Sequence, residues 1–333
     1  MSLQGRVLIT GADGFVGRHL EQMLIQRGVT LRAAVRGRAE RGAHVCAVGD
    51  IGPQTAWSAA LEDVQAVVHL AARVHVLHDL ARDPRSEFMR VNAEGTAALV
   101  RAAAAAGVRR FVYVSTVHVL GKETVEAPFQ ASSPPNPQGA YAESKLAGEV
   151  AARSAAGSKL QVVVIRPPLV YGPGVRANFL RLLHWVETGW PLPLGSVQNR
   201  RSLVNVWNLC DLLVKLIEHP AAADRVWLVS DGVDLSTPEL VRRIAEAMAR
   251  RPRLLPVPVA LLRVLGRFTG LQNQIAQLCN SLAVDATPAR EQLGWSPPVA
   301  LSAALDSTVG WYLAQRNGGS AGRRRSLSGS TRT

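Results

Sequence analysis

The feature that most constrains this chain is a glycine-rich turn between a short apolar strand and a helix. Arg6–Thr10 (RVLIT) is a β-branched run typical of a buried strand, and a helical pattern then extends from Gly14 to Gln26. Three glycines occupy the junction: Gly11, Gly14 and Gly17. They permit a tight turn, close approach of the backbone to a pyrophosphate, and close packing of helix on strand. We therefore expect a dinucleotide to bind here, with Phe15 and Val16 in the first helical turn, where backbone N–H groups are free.

Short apolar runs alternate with longer helical patterns through the first half of the chain. The further predicted strands are Thr30–Val35, His44–Val48, Ala66–Leu70, Arg110–Ser115 and Gln161–Arg166. Helical patterns cover Arg85–Ala106 and Ala140–Ala155. Strands that alternate with helices predict βαβ crossovers, and unbroken apolar runs predict strands buried on both faces. The expected fold class is therefore α/β, with a Rossmann-like, doubly wound parallel sheet.

The composition changes after residue 166. Pro and Gly cluster at RPPLVYGPG and WPLPLG, followed by a late strand, Arg225–Ser230, and a helix for which Thr237 is the expected N-cap. We expect residues 1–166 to form the dinucleotide-binding domain. Residues 167–316 should form mainly a smaller C-terminal α/β substrate-binding lobe that interleaves with it, and residues 317–333 a disordered basic tail.

The formal charge of the 333 residues is +13, and four of the positive charges belong to terminal arginines: Arg323, Arg324, Arg325 and Arg332. Such an excess attracts polyanions, including nucleic acid, an anionic membrane surface or a diphosphate ligand. Because no basic groove is interleaved with aromatic residues, we do not expect nucleic acid as a partner. The three cysteines are far apart and lack CxxC spacing, so no metal site is expected.

Membrane spanning is also not expected. No apolar run reaches the roughly 20 residues that a spanning helix needs, and the chain opens on a strand pattern rather than a leader. We therefore expect a cytoplasmic protein with no integral membrane association. The segment PVPVALLRVLGRFTGL (residues 256–271) contains Arg263 and Arg267 one turn apart. It is compatible with a helix on a membrane surface, but the pattern favours an amphipathic helix that faces the core.

The end of the second predicted strand indicates which dinucleotide binds. An NAD site usually has a carboxylate there, which bonds the adenosine ribose hydroxyls. Val35 takes that place here, followed by Arg36 and Arg38. Two guanidiniums and no carboxylate suit a 2′-phosphate, so we favour NADP(H) over NAD(H). Asp50 and Ile51 follow the third strand and could flank the adenine, although Asp50 is equally consistent with a plain turn.

The candidate catalytic residues are Thr116, Tyr141 and Lys145. Tyr141 and Lys145 lie four residues apart on a predicted helix and therefore share a face. Because a neighbouring ammonium favours the phenolate, we expect Lys145 to lower the pKa of Tyr141. Tyr141 can then exchange a proton with an alcohol or ketone while hydride moves to or from a nicotinamide, whose ribose Lys145 can bind. Thr116 ends the fifth strand and can donate to the substrate oxygen, with Ser115 as the alternative.

Taken together, these motifs resemble the extended short-chain dehydrogenase/reductase family, in particular its nucleotide-sugar epimerases, dehydratases and ketoreductases. The resemblance extends from about Arg6 to Tyr312 and is carried by TGADGFVG, HLAA, VNAEGT, VSTVHVLG, YAESK and RPPLVYGPG, in that order. It implies the catalytic roles given above and a homodimer. The cofactor residues that it further implies are Leu70, Ala71, Ala72, Asn92 and Pro168. The substrate residues that it implies are His118, Asn178 and Arg201, with Asn178 and Arg201 at the diphosphate of a nucleotide sugar that we expect to be UDP-linked.

Departures from the family pattern indicate the subclass. Sugar 4,6-dehydratases carry Asp–Glu directly after the threonine, whereas Val117 and His118 stand there in this chain. The run NRRSLVNVWNL resembles 4-ketoreductases that make N-acetylated 6-deoxy sugars for surface polysaccharide. We therefore expect NADPH-dependent 4-keto reduction of a UDP-4-keto-6-deoxy-N-acetylhexosamine, as in O-antigen synthesis. The alternatives are a UDP-sugar 4-epimerase with tightly bound NAD and a non-catalytic NADP-binding scaffold, which would tend to lose Tyr141 or Lys145.

Overall fold

A computed structural model describes residues 5–37, 42–74 and 83–327, with side chains given as far as residue 316. The strands are β1 (Arg6–Thr10), β2 (Leu31–Val35), β3 (Val45–Ala47), β4 (Val64–His69), β5 (Arg110–Val114), β6 (Gln161–Arg166), β7 (Leu169–Tyr171), β8 (Leu203–Asn205) and β9 (Val226–Leu228). The α-helices are α1 (Phe15–Gln26), α2 (Pro84–Met89), α3 (Gly95–Ala105), α4 (Ala140–Ala155), α5 (Ala177–Thr188), α6 (Val206–Glu218), α7 (Thr237–Ala247), α8 (Val259–Thr269), α9 (Gln272–Cys279), α10 (Thr287–Leu293) and α11 (Leu301–Leu327). A π-helical turn, Arg90–Glu94, joins α2 to α3, and short 3-10 turns occur at Ala59–Leu61, Val117–Val119 and Pro220–Ala222.

Seven strands of the described chain form one parallel sheet in the order β3-β2-β1-β4-β5-β6-β9. The sheet grows in one direction from β1 to β3 and in the other from β4 onward, so its topological switch point lies between β1 and β4. In doubly wound sheets, ligands bind beyond the carboxyl ends of the strands at this point. The predicted fold class is confirmed, and the glycine-rich turn after β1 lies at the switch point.

Apolar side chains pack on both faces of the sheet. Within β1, Val7 and Ile9 join a cluster that includes Leu20 of α1, whereas Leu8 joins a second cluster with Leu99 of α3. Successive strand residues point to opposite faces, so an unbroken apolar run supplies both layers at once. The packing therefore accounts for the sequence pattern of the strands.

The chain after residue 166 contributes strands both to a separate two-stranded sheet and to the main sheet. The strands β7 and β8 form a separate parallel pair, while β9 returns to the main sheet beside β6. Around the pair, α5, α7 and α11 share a cluster that includes Phe179, Val241 and Leu305. Helix α11 continues to Leu327, within the stretch predicted as a tail, and residues 328–333 lie outside the described chain.

Two helix predictions need local correction. The N-cap of α7 is Ser236 rather than Thr237, because Ser236 and Glu239 form a reciprocal capping box. The single helix predicted over Arg85–Ala106 is divided by the π-helical turn, which buries Asn92. Both corrections arise from hydrogen bonds that the apolar pattern does not specify.

The prediction that the segment around α8 faces the core was wrong for most of its apolar residues. Within α8, only Leu262 and Gly266 are buried, while Leu261, Val264 and Leu265 are exposed. The reason is that α8 contacts only a small satellite cluster, which covers one narrow side of the helix. No helix in the described residues is long and apolar enough to cross a membrane.

Candidate active site

The glycine-rich turn has the backbone geometry that a phosphate site needs. Gly11 has φ of +69°, and the Gly14 N–H donates to the Gly11 carbonyl oxygen at 2.9 Å. A Cβ on Gly17 would collide with that same oxygen, so helix α1 can pack closely only with glycine there. The N-cap Gly14 brings no side chain to the first turn, and that turn, which begins with Phe15 and Val16, holds no acidic residue. Its N–H groups and the helix dipole therefore remain available to an anion.

The predicted adenosine-binding residues lie together beyond β2 and β3. The Arg36 guanidinium pairs with the Asp50 carboxylate at 3.1 Å, and both side chains are about three-quarters exposed (78% and 74%). Val35 is buried, and the carbonyl of Ile51 accepts from Arg90 at 3.4 Å. A carboxylate therefore does stand beside the guanidinium, although it comes from the third strand and not from the second. Arg38 lies outside the described residues.

The loop after β4 is tied to the strands and to the catalytic helix. Leu70 and Ala71 donate from their backbone to Thr10, both at 3.3 Å, and Ala72 follows in the same loop. Asn92 accepts from the Arg73 N–H at 2.7 Å and donates to the Ser144 hydroxyl of α4 at 2.9 Å. Asn92 thus connects this loop to the helix that carries Tyr141.

Thr116 and Tyr141 meet at the carboxyl end of β5. Their hydroxyls share a hydrogen bond, and Thr116 Oγ1 also accepts from the His118 N–H at 3.3 Å. The Phe88 ring packs edge-on against Tyr141, with centroids 6.3 Å apart. Burial raises the pKa of Tyr141 to about 12, and the bond to Thr116 opposes this only weakly. The phenol is therefore protonated at neutral pH.

Lys145 does not lower the pKa of Tyr141 in this structure, so that prediction was wrong. Its Nζ lies over the Tyr113 ring, 4.1 Å from the centroid. Burial lowers the pKa of Lys145 itself to about 7, against the opposing effect of Glu149. An ammonium that is only partly charged near neutral pH, and directed at another ring, cannot offset the desolvation of the Tyr141 phenolate.

One buried hydroxyl tests whether a dinucleotide suits this crevice. Ser115 is only 4% exposed, and its Oγ has no hydrogen-bond partner among the described residues. An unsatisfied buried hydroxyl costs about 1–3 kcal/mol, so a polar ligand group at the end of β5 would stabilise the protein. Together with the uncapped N-terminus of α1, this hydroxyl fits a dinucleotide extended from the glycine-rich turn to Tyr141.

Two of the predicted substrate residues, Asn178 and Arg201, contact one segment of the second lobe. The Arg201 guanidinium, which is half-buried, donates to the carbonyls of Gln277 at 2.7 Å and Asn280 at 3.1 Å. Exposed Asn178 donates to Gln277 Oε1 at 2.9 Å. Residues 277–280 therefore bring Asn178 and Arg201 close to each other. His118 is exposed at the end of β5.

Pro168, between β6 and β7, is buried, and the neighbouring Pro167 carbonyl accepts from the Val117 N–H at 3.0 Å. This bond fixes the turn that carries Thr116 against the end of β6.

Sequence reasoning missed several supporting residues. Glu149 pairs with Arg166 in a buried bidentate contact of 2.6 and 2.9 Å, and it also faces Lys145. The signal for Glu149 was present, since it lies four residues after Lys145 on α4. No local signal predicts that Arg166 of β6 or Phe88 of α2 would pack here, because their partners are distant in sequence.

The fold and this crevice define a dinucleotide-binding enzyme of the extended short-chain dehydrogenase/reductase type. The chain belongs to the NAD dependent epimerase/dehydratase family, which matches residues 7–229.

Comparisons with individual proteins agree with this family assignment. A protein of Vibrio cholerae named UDP-glucose 4-epimerase is 39% identical over 93% of this chain and 96% of its own length. The structure of MoeE5 in complex with UDP-glucose and NAD is 26% identical, with a TM-score of 0.73 over 94% of this chain and 99% of MoeE5. A short-chain dehydrogenase/reductase superfamily protein from Agrobacterium tumefaciens with bound NAD has a TM-score of 0.75 at 21% identity, over 95% and 99% of the two chains, and shares the fold.

Proposed function

We propose that this enzyme reduces the 4-keto group of a nucleotide-diphosphate sugar, most specifically a UDP-4-keto-6-deoxy-N-acetylhexosamine, with NADP(H). Tyr141 donates a proton to the C4 oxygen, Thr116 orients that oxygen, and Lys145 binds the nicotinamide ribose. When bound, the nicotinamide supplies the hydride. The enzyme works as a cytoplasmic homodimer and serves surface polysaccharide synthesis.

The observation that carries the proposal is the hydroxyl pair of Thr116 and Tyr141 at the end of β5. A reduction needs a general acid that is protonated before the reaction, and a phenol with a pKa of about 12 meets this need. A reaction that begins with oxidation needs the phenolate instead, and this environment disfavours it. The protonated Tyr141 phenol therefore supports a role as the proton donor at C4.

The residues after Thr116 argue against elimination of water from the sugar. Val117 is buried and has no ionisable group, and His118 stands where the dehydratases carry their second carboxylate. The supported chemistry is therefore transfer of hydride and a proton at one carbon, without loss of a hydroxyl.

The diphosphate half of the proposed substrate would lie against Arg201 and Asn178. A guanidinium has five N–H donors, and the described contacts of Arg201 to the two carbonyls of Gln277 and Asn280 are made through Nη1. Its other donors can bind phosphate oxygens, and burial strengthens such charge-assisted bonds. MoeE5, with UDP-glucose bound, supports a UDP-linked substrate for a chain of this family.

Arg36 supports the preference for NADP(H). In the proposed complex, its guanidinium turns from Asp50 to the 2′-phosphate, which carries more charge than a single carboxylate. Because the Arg36–Asp50 pair is exposed, breaking it costs little.

A 4-epimerase is the second candidate, favoured by the 39% identity to the Vibrio cholerae protein of that name. The two functions are separated by incubating the enzyme with a UDP-4-keto-6-deoxy-N-acetylhexosamine plus NADPH and, in parallel, with UDP-glucose and UDP-N-acetylglucosamine without added cofactor. Mass spectrometry and proton NMR identify the products. A gain of two hydrogens supports reduction, whereas isomers of unchanged mass, together with cofactor that copurifies, would establish the epimerase. The Tyr141→Phe variant is the control for contaminating activity.

A further inference from the structure

Helix α8 exposes a continuous apolar stripe. Four of its side chains are between about half and nine-tenths exposed: Leu261, Val264, Leu265 and, at 87%, Phe268. At about 100° of rotation per residue, these positions share one face roughly 100° wide. Leu271, just beyond the helix, is exposed as well. Soluble proteins rarely leave such contiguous apolar surface uncovered.

The other side of α8 is already packed. Leu262 and Gly266 are buried, and Leu262 joins a cluster with Leu194, Val197 and Cys279. The stripe cannot rotate inward without exposing this cluster. It is therefore a fixed outer surface of the substrate-binding lobe.

The stretch of sequence that contains the stripe carries only positive charge. Residues 247–284 contain no Asp or Glu and five arginines, all exposed: Arg250, Arg251, Arg253, Arg263 and Arg267. None of these five forms an ion pair with a carboxylate in the part of the chain that the structure describes. An apolar stripe edged by arginines complements a surface that is both apolar and negatively charged.

We propose that α8 docks this enzyme onto an anionic lipid membrane, lying in the plane of the surface. Its 11 residues give a length of about 16 Å, too short to span a bilayer but suited to lie in the headgroup region. Phe268 and the neighbouring leucine side chains enter the acyl boundary, while Arg263 and Arg267 bind lipid phosphates. A second copy of the chain fits the stripe less well, because a two-fold contact through α8 would place the same arginines near each other.

Docking through α8 would bring the substrate-binding lobe to the membrane. Helix α9 follows α8 after a short turn, and its end supplies Gln277, which holds both Asn178 and Arg201. The proposed diphosphate site therefore lies only one short helix away from the docking surface. The inference itself does not depend on the proposed reaction, because vesicle binding is measured without substrate.

The test is sedimentation of the full chain with vesicles of phosphatidylcholine alone or of phosphatidylcholine plus phosphatidylglycerol. We expect binding to the anionic vesicles, release by salt, and a partition coefficient reduced roughly tenfold or more by Phe268→Glu. The matched control is Ile25→Glu, since Ile25 is also exposed, at 54%, and lies on α1, which packs against the main sheet. The basic tail is the same in all three proteins, and circular dichroism with thermal melting verifies that each is folded.

Three results would overturn the proposal. Equal binding of wild type and Phe268→Glu would assign any vesicle binding to the tail or to general charge. Absence of wild-type binding to anionic vesicles would exclude a membrane of this kind. Conversion of a dimer to a monomer by Phe268→Glu, measured by analytical ultracentrifugation, would show that a second copy covers the stripe.

Discussion

The two halves of the candidate site differ in how firmly the fold holds them. Around Tyr141, which is half-buried, Thr116 and Lys145 are buried, and Lys145 contacts the ring of Tyr113 in the core. In the substrate lobe, Asn178 is exposed and Arg201 is half-buried, and both are held by one connecting segment. The reacting half is therefore preorganised, whereas the recognising half can change without disturbing the core. Substitutions should consequently affect rate and stability in the first region and substrate affinity in the second.

The largest effect is expected from Tyr141→Phe. Removal of the phenol hydroxyl removes the proposed proton donor, so kcat should fall by roughly 10²–10⁴-fold. Cofactor affinity, measured by fluorescence titration, should change little because the ring and its packing on Phe88 remain. A variant that keeps most of the wild-type kcat would contradict the proton-donor role proposed for Tyr141.

Among these substitutions, breaking the buried ion pair between Arg166 and Glu149 should reduce the stability of the folded protein most. Arg166→Met leaves the Glu149 carboxylate buried without its partner, which typically costs about 3–5 kcal/mol. The matched control is Arg200→Met, which breaks a pair between an exposed guanidinium and Asp234 and should cost less, about 1 kcal/mol. Urea unfolding measures both, and equal losses would contradict the difference in burial.

The recognising half is tested by Arg201→Met. Loss of charge-assisted bonds to a diphosphate should raise KM for the nucleotide sugar roughly 10- to 100-fold, with kcat changed far less. The neighbouring Arg200→Met serves again as control and should leave KM nearly unchanged. A loss confined to kcat would place Arg201 outside the diphosphate site.

Acid should weaken the protein through His69. This side chain is bonded to Thr10 and Thr96, and burial, followed by the charge of Lys145, lowers its pKa to about 3 from 6.5. Between pH 6.5 and 3, His69 therefore binds a proton in the unfolded chain but stays neutral in the folded protein. The free energy of unfolding consequently falls as the pH decreases through this range. The loss should reach about 2 kcal/mol near pH 5. A smaller pH dependence in His69→Gln, measured by urea unfolding, is the expected result, and an identical slope would contradict it.

The smallest effect is expected at Arg36, where the adenosine end of the cofactor is proposed to bind. Arg36→Asp should shift the ratio of NADPH to NADH affinity by about tenfold towards NADH, equivalent to about 1.4 kcal/mol. Asp50→Asn should act in the opposite direction, because it removes the carboxylate that competes for the same guanidinium. An unchanged ratio in both variants would remove the basis of the proposed NADP(H) preference.

The sequence predicts those features of the fold and site that are determined by residues close together in the chain. The glycine-rich turn and the spacing of Tyr141 and Lys145 on α4 follow from neighbouring residues and from helix periodicity. The protonation of Tyr141 follows instead from burial beneath elements such as Phe88, which only the folded chain brings there. Likewise, the pattern of α8 correctly indicated an amphipathic helix but could not reveal that the core has room for only its narrow side.

The account rests on transfer of a hydride to a C4 ketone of the sugar, and isotope tracing tests this transfer most directly. The enzyme would be supplied with a UDP-4-keto-6-deoxy-N-acetylhexosamine and NADPH that carries deuterium at the transferred position. We predict a product that has gained one deuterium, located at C4 by NMR, and one proton, with one cofactor oxidised per product. An isomerised sugar without deuterium, or deuterium at a carbon other than C4, would contradict the proposed reaction.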